Sequence, residues 1–284
     1  MLITLKSTNL QDIDNFIKEN LNNLREVKSG NQYIYKVYYF NENKIIFYHN
    51  LTFTIEGTHL GLDLEREIVK FFMDDNLYIG SDEVGVGESI GPIVVCGVTF
   101  KNKLQKEHFF KLGMIDSKKI NYNKILMLGK EIKESVPHKC VILSVEKFNR
   151  YYLEENINIK LLNSIFHNRI HEELGKNFKN RISVIDEFVS KKKYLEYIDS
   201  SVNDVFFENE YIFETKAENK YIEVAAASIL AKYIFNKHIV DVLEKNKISI
   251  NKYIKNSINY NQIAGDINKN IIKIDDVLIK TWKK

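Results

Sequence analysis

The chain has 284 residues, 44% of them hydrophobic and 28% charged, a globular mixture long enough to bury cores in two domains of ordinary size. No window approaches the roughly 20 apolar residues that span a bilayer and the amino terminus lacks a long apolar run, so a soluble, cytoplasmic protein is expected. A net charge of +3 is too small to argue for a nucleic-acid partner, and two cysteines, Cys96 and Cys140, are expected as buried thiols of a reducing compartment rather than a disulfide framework.

In chain order, residues 2–5 read as a short strand. A helix capped by Asn9 follows, with Leu10, Ile13, Phe16, Ile17, Leu21 and Leu24 at helical spacing. After the turn Ser29-Gly30-Asn31, the β-branched and aromatic runs 33–40, 44–49 and 51–55 read as a meander, and helical spacing returns over 64–72. The order β-α-β-β-β-α predicts one sheet with helices on one face, and its alternating aromatics predict sheet packing rather than base stacking. Residues 1–72 carry eight basic against nine acidic side chains, which counts against strong phosphate attraction by the whole unit. Asp74-Asp75-Asn76 is the expected linker.

Beyond it, strands are expected over 77–81, 93–100, 141–145 and 182–185, with helices between them. The clearest helices are 159–174 and 222–238, the second opening on Ala225-Ala226-Ala227-Ser228, narrow enough to lie close against a sheet. This half reads as α/β. Residues 245–284 hold nine lysines against three aspartates, a stretch that either contacts phosphates or is a solvated face.

Chemistry concentrates in Gly80-Ser81-Asp82-Glu83-Val84-Gly85-Val86-Gly87, where an apolar strand runs into two carboxylates and then a glycine loop. Adjacent acids at a strand end are either exposed or bound to something positive, and a set of oxygens without Cys or His suits Mg²⁺ or Mn²⁺. Neighbours in a regular strand point to opposite faces, so both acids reach one ion only if the strand ends or bends there. A dinucleotide fingerprint fails because the glycines lead into a strand, and a P-loop fails because no Gly-Lys-Ser/Thr follows. Asp186 closes another apolar run, and Glu218 lies just ahead of the alanine-rich helix. Taken singly, each reads as well as a cap or a solvated acid.

Together these segments resemble the bacterial ribonuclease HIII family. The resemblance is carried by Gly80 to Gly87 with Gly91-Pro92-Ile93-Val94-Val95, by Asp116-Ser117-Lys118-Lys119-Ile120, by Ile185-Asp186, and by Lys216-Ala217-Glu218 with Ala225-Ala226-Ala227-Ser228-Ile229-Leu230-Ala231-Lys232. It implies an α/β ribonuclease H-like catalytic domain over 77–284, a mixed sheet flanked by helices, behind a small α+β domain over 1–72 that is similar to half of a TATA-binding protein and holds substrate. It also implies that Asp82, Glu83, Asp186 and Glu218 bind two Mg²⁺ or Mn²⁺ ions. These would cut the RNA strand of an RNA/DNA hybrid by in-line hydrolysis, leaving 5′-phosphate and 3′-hydroxyl ends. Gly85, Val86 and Gly87 would read 2′-hydroxyls, and Ser117 and Lys118 would contact backbone phosphate. A monomer is expected. Glutamate at position 218, and Val86 where ribonuclease HII enzymes carry arginine, argue against a cutter of single embedded ribonucleotides. The intact acid set argues against an inactive hybrid-binding protein. The resemblance fades after Lys232, and His167, His171 and His238 are expected as satisfied or solvated helix residues.

Overall fold

Asn9 opens the first helix as its spacing requires: its side chain accepts from the Asp12 N–H at 2.9 Å, and α1 (Leu10–Glu19) follows with Ile13, Phe16 and Ile17 buried. The structure, a computed structural model, describes residues 2–7, 9–57, 61–114, 120–201, 207–274 and 278–281. Ser117 and Lys118 lie outside them. The helix stops short of Leu21 and Leu24, where the sequence pattern continued it. Asn20 closes it by donating its side-chain amide to the Phe16 carbonyl at 3.0 Å, and Leu24 instead pairs across to Phe40.

Strands β1 (Leu2–Lys6), β2 (Leu24–Glu26), β3 (Ile34–Phe40), β4 (Asn43–Tyr48) and β5 (Thr52–Glu56) form an antiparallel sheet in the order β1-β5-β4-β3-β2. Helices α1 and α2 (Leu62–Phe72) bring phenylalanines to its core, with Phe72 lying 4.4 Å from Phe53 and 5.4 Å from Phe16 between ring centroids. Of the aromatic runs, Tyr38, Phe40 and Phe47 join this core, whereas Tyr33 is exposed.

The second sheet contains β6 (Ile79–Val84), β7 (Ile93–Val98), β8 (His138–Leu143), β9 (Ser183–Asp186) and β10 (Tyr211–Glu214), in the order β10-β9-β6-β7-β8. The pairs of β9 with β10 and with β6 are parallel, and those of β7 with β6 and with β8 are antiparallel, so the sheet is mixed. Around it run α3 (Lys103–Lys111), α4 (Tyr122–Ser135), α5 (Val145–Asn149), α6 (Ile159–Asn177), α7 (Lys191–Asp199), α8 (Ile222–Lys245) and α9 (Tyr260–Asn268). The sequence reading missed β10, four residues long, and placed β8 too late, because Ser144 ends the strand by capping α5.

Alternation along each strand divides the sheet cleanly. Val94, Cys96 and Val98 pack toward α8, while Ile79, Ile93 and Val95 pack toward Ile170 and Leu174 of α6. At Gly80 the α8 backbone comes so close that a Cβ would collide with Glu223 and Val224, the close approach that the alanines promised. A buried ion pair fastens the linker to this face: Lys106 Nζ lies 3.2 Å from Glu223 Oε1 and also donates to the Asn76 carbonyl.

The cysteines overturn their expectation. Cys96 and Cys140 face each other across β7 and β8 with Cα atoms 4.2 Å apart, and they form a disulfide. Cross-strand register, invisible in the spacing of the two residues, decides this, and it removes the cysteine argument for a reducing compartment. Among the described residues no helix is long and apolar enough to cross a membrane.

Candidate active site

Asp82 and Glu83 lie inside β6, opposite Cys96 and Val95, so the strand does not end at the first acid as the sequence suggested. The pleat sends them to opposite faces. Asp82 shares the α8 face, where it is 8% exposed, and takes a side-chain hydrogen bond from Ser228 and one from the Glu83 N–H at 2.7 Å. Glu83 turns to the α6 face, where its Oε2 lies 3.1 Å from His167 Nε2.

Asp186 ends β9, one position past the Ser81 and Ile185 pair, which sets it beside Asp82 on the neighbouring parallel strand. Its Oδ1 accepts from the Ala217 N–H at 2.9 Å. That bond ties the strand end to the turn Ala217–Asn219, which carries the buried Glu218. Lys216, just before it, sits in the left-handed region at φ 58°, a conformation that costs a non-glycine residue about 1 kcal/mol or more and turns the chain into α8. Asp186 and the turn bearing Glu218 therefore lie together ahead of α8, and Asp82 interacts electrostatically with Asp186 and with Glu83, its neighbour on the other face.

Negative charge accumulates here. Burial, and then the charges of Glu83 and Asp186, push the Asp82 carboxyl well above the usual carboxylate range, against the pull of its hydrogen bonds from Ser228 and the Glu83 N–H. Among the described residues no three His, Cys, Asp or Glu side chains stand close enough to enclose a metal ion. The chemistry of Asp82, Glu83, Asp186 and Glu218, all carboxylates, nevertheless suits a hard divalent cation, and a positive charge there would relieve the repulsion that Asp82 feels from Glu83 and Asp186.

The glycine loop divides by residue. Gly85 (φ 92°) and Gly91 (φ 79°) lie against Pro92 and the Phe235 ring, where a side chain would collide, so their glycines serve packing and turning. Gly87 faces open space, and Val86 packs against the α6-side cluster. The carboxy-terminal stretch, expected as a basic tail or solvated face, straps this loop. Ile279 bridges to Ile90, the Gly91 N–H donates to the Leu278 carbonyl at 2.9 Å, and the buried Lys280 donates to the carbonyls of Gly85 and Glu88. Burial lowers the Lys280 ammonium to about 8, against the pull of Glu88.

The sequence model of the ribonuclease HII family matches residues 79–253, more than half of the chain. A ribonuclease HIII from Staphylococcus saprophyticus subsp. saprophyticus is 32% identical over 206 residues, which cover 70% of this chain and 64% of that relative. One from Phytoplasma mali is 31% identical over 230 residues, covering 80% and 77%. This chain belongs to the ribonuclease HII family, on its ribonuclease HIII branch. The ribonuclease HIII architecture extends to the fold: the crystal structure of Bst-RNase HIII in complex with Mn²⁺ superimposes with a TM-score of 0.60 at 22% identity, over 88% of this chain and 85% of that one. Sequence reasoning about the site missed Ser81, Ser228 and Lys280. It listed His167 and His171 only as satisfied helix residues. The signal for the histidine pair was their spacing of one helical turn, with Ser81 on the same strand face as Glu83.

Proposed function

We propose that this chain is an endoribonuclease that hydrolyses the RNA strand of RNA/DNA hybrids, leaving 5′-phosphate and 3′-hydroxyl ends. The observation that carries the reading is the placement of Asp82 and Asp186 on adjacent strands, with the turn bearing Glu218 tied to Asp186 and Glu83 next in the chain to Asp82. Asp82, Glu83, Asp186 and Glu218 would hold two Mg²⁺ or Mn²⁺ ions; bound there, such ions supply Lewis-acid stabilisation of the phosphate and a more acidic water. Asp82 is held by the strand backbone and by Ser228. Asp186 is held by the Ala217 N–H, so the acids are placed before substrate arrives.

The open backbone at Gly87, beside Val86, is where an RNA 2′-hydroxyl would be read; position 86 is valine rather than an arginine that would recognise a single ribonucleotide junction. Gly85 contributes by shaping that loop, and Ser117 and Lys118 by contacting phosphate. Residues 1–72, the unit with a five-stranded antiparallel sheet, would act as the substrate-holding domain and 77–284 as the catalytic domain of a monomer.

The test incubates the protein with labelled RNA/DNA hybrid and, separately, with duplex DNA containing one ribonucleotide, in Mg²⁺, in Mn²⁺ and in chelator, alongside Asp82→Asn. Cutting of the hybrid that needs metal and is lost in Asp82→Asn is expected. Preference for the single ribonucleotide would replace this reading with a ribonuclease HII-like one, and tight binding without turnover would leave a binding protein.

A further inference from the structure

Behind Glu83 runs a polar chain that the reading above does not use and that is costly to keep. Ser81, His167 and His171 are each 0% exposed between β6 and α6. Removing such groups from water costs about 1–3 kcal/mol each unless their hydrogen bonds are remade. His171 Nε2 lies 2.7 Å from Ser81 Oγ, Ser81 Oγ lies 2.7 Å from His167 Nδ1, and His167 Nε2 lies 3.1 Å from Glu83 Oε2.

The chemistry of the ends orients the whole chain. An ionised Glu83 only accepts, so His167 carries its proton on Nε2. Its Nδ1 is then a bare acceptor, the Ser81 hydroxyl donates to it, and the remaining Ser81 lone pair accepts from the His171 Nε2–H. His171 Nδ1 is buried with no hydrogen-bond partner among the described residues. With the opposite polarity that atom would be a stranded N–H, a rarer and costlier orphan than a bare nitrogen. Every donor in the chain therefore points toward Glu83. Packing holds the rings in place: His167 stacks on Phe188 with centroids 5.1 Å apart, and His171 meets the Tyr211 ring edge-on at 5.6 Å. Core filling alone would be met more cheaply by apolar residues, whereas this chain ends on the half-buried acid of the site.

We propose that His167 is a positioning residue for Glu83. Its Nε2–H, kept in that tautomer by Ser81 and His171, would occupy one carboxylate oxygen and leave the other available to a cation bound at the site. This rests on the reading of Glu83 as a cation ligand.

The experiment uses the full chain as wild type, His167→Leu, His167→Gln, Ser81→Ala and Glu83→Gln. It measures Mn²⁺ affinity by calorimetry without nucleic acid, kcat and KM on hybrid at saturating Mn²⁺, and Tm in chelator. In His167→Leu, Mn²⁺ affinity falls about 10–100-fold, the size of effect seen when groups that orient metal ligands are removed, while the KM for hybrid and the Tm stay near wild type. His167→Gln, which restores a donor near the Nε2 position, regains most of the affinity. Wild-type Mn²⁺ affinity in a folded His167→Leu protein, or no recovery in His167→Gln, overturns the proposal. Should His167→Leu fail to fold, Ser81→Ala reads the same chain: weakened Mn²⁺ binding supports the proposal and unchanged binding overturns it. Glu83→Gln separates the two readings. If it binds Mn²⁺ as wild type does, the cation reading falls and this inference with it; if it loses binding while the His167 and Ser81 variants do not, only the positioning role is lost.

Discussion

On the α8 face of the second sheet, helix and strand meet backbone to backbone at Gly80, and the acids there take main-chain donors, Asp82 the Glu83 N–H with the Ser228 side chain beside it and Asp186 the Ala217 N–H. On the α6 face, Glu83 is placed by another side chain, with a serine and a second histidine behind it. Adjacent residues of one strand are thus held by different means. An acid fixed by backbone moves only if the fold moves, whereas one fixed by a side-chain network loses its position when a single donor is removed. Substitutions around Asp82 and around Glu83 should therefore fail in different ways.

The largest effect expected is on the α8 face, where Asp82→Asn keeps the shape of the side chain and removes its charge. With several kcal/mol of transition-state stabilisation at stake, kcat on hybrid should fall by about 10³-fold or more with the Tm little changed. Retained turnover in a folded Asp82→Asn protein would remove the acid set from the reaction. Next is the buried pair on the same face. Lys106→Ala strands the Glu223 charge and should cost about 3–5 kcal/mol in urea unfolding, whereas the double change Lys106→Met with Glu223→Leu should recover most of it. Equal losses in the single and double variants would mean that packing, not charge, governs this contact.

A smaller effect tests the closeness of the two seams. Gly80→Ala pushes a methyl into the α8 backbone and should destabilise by about 1–3 kcal/mol, and Gly97→Ala, whose nearest obstacles are the side chains of Ile170 and Leu174 on the α6 face, should cost less. The reverse ranking by Tm would show that α6 is the more rigid wall. Smallest per pH unit is the acid response of the α6 face. Burial, followed by the neighbouring His167, lowers His171 to about 3, so between roughly pH 6.5 and 3 the unfolded chain binds a proton that the folded one refuses. Stability should then decline as pH falls through that window, by at most about 1.4 kcal/mol per unit, and His171→Phe should flatten the decline. Urea midpoints measured from pH 7 to 4 decide it, and an unchanged slope in the variant would show that other groups set the acid limit.

Much of this was legible residue by residue. The Asn9 cap, the meander of aromatic strands, the alanine-rich helix and the order of acidic motifs all rest on local signals that tertiary packing leaves in place. Where the reading failed, the deciding partner was distant. Leu24 had helical spacing but found Phe40, four-residue β10 had too few residues to show a period, and Lys280 looked like one more basic tail residue until the glycine loop offered it carbonyls.

The sequence by itself determined which residues carry charge, which faces of each helix are apolar, and the family to which the chain belongs, because those properties reside in side chains and their spacing along one segment. Only the tertiary structure decided that Asp82 and Glu83 look to opposite faces, that Cys96 meets Cys140, and that two helix histidines and Ser81 form a chain that ends on Glu83. Each of these depends on strand register and on which helix covers which face, and those are fixed by contacts between segments far apart in the chain.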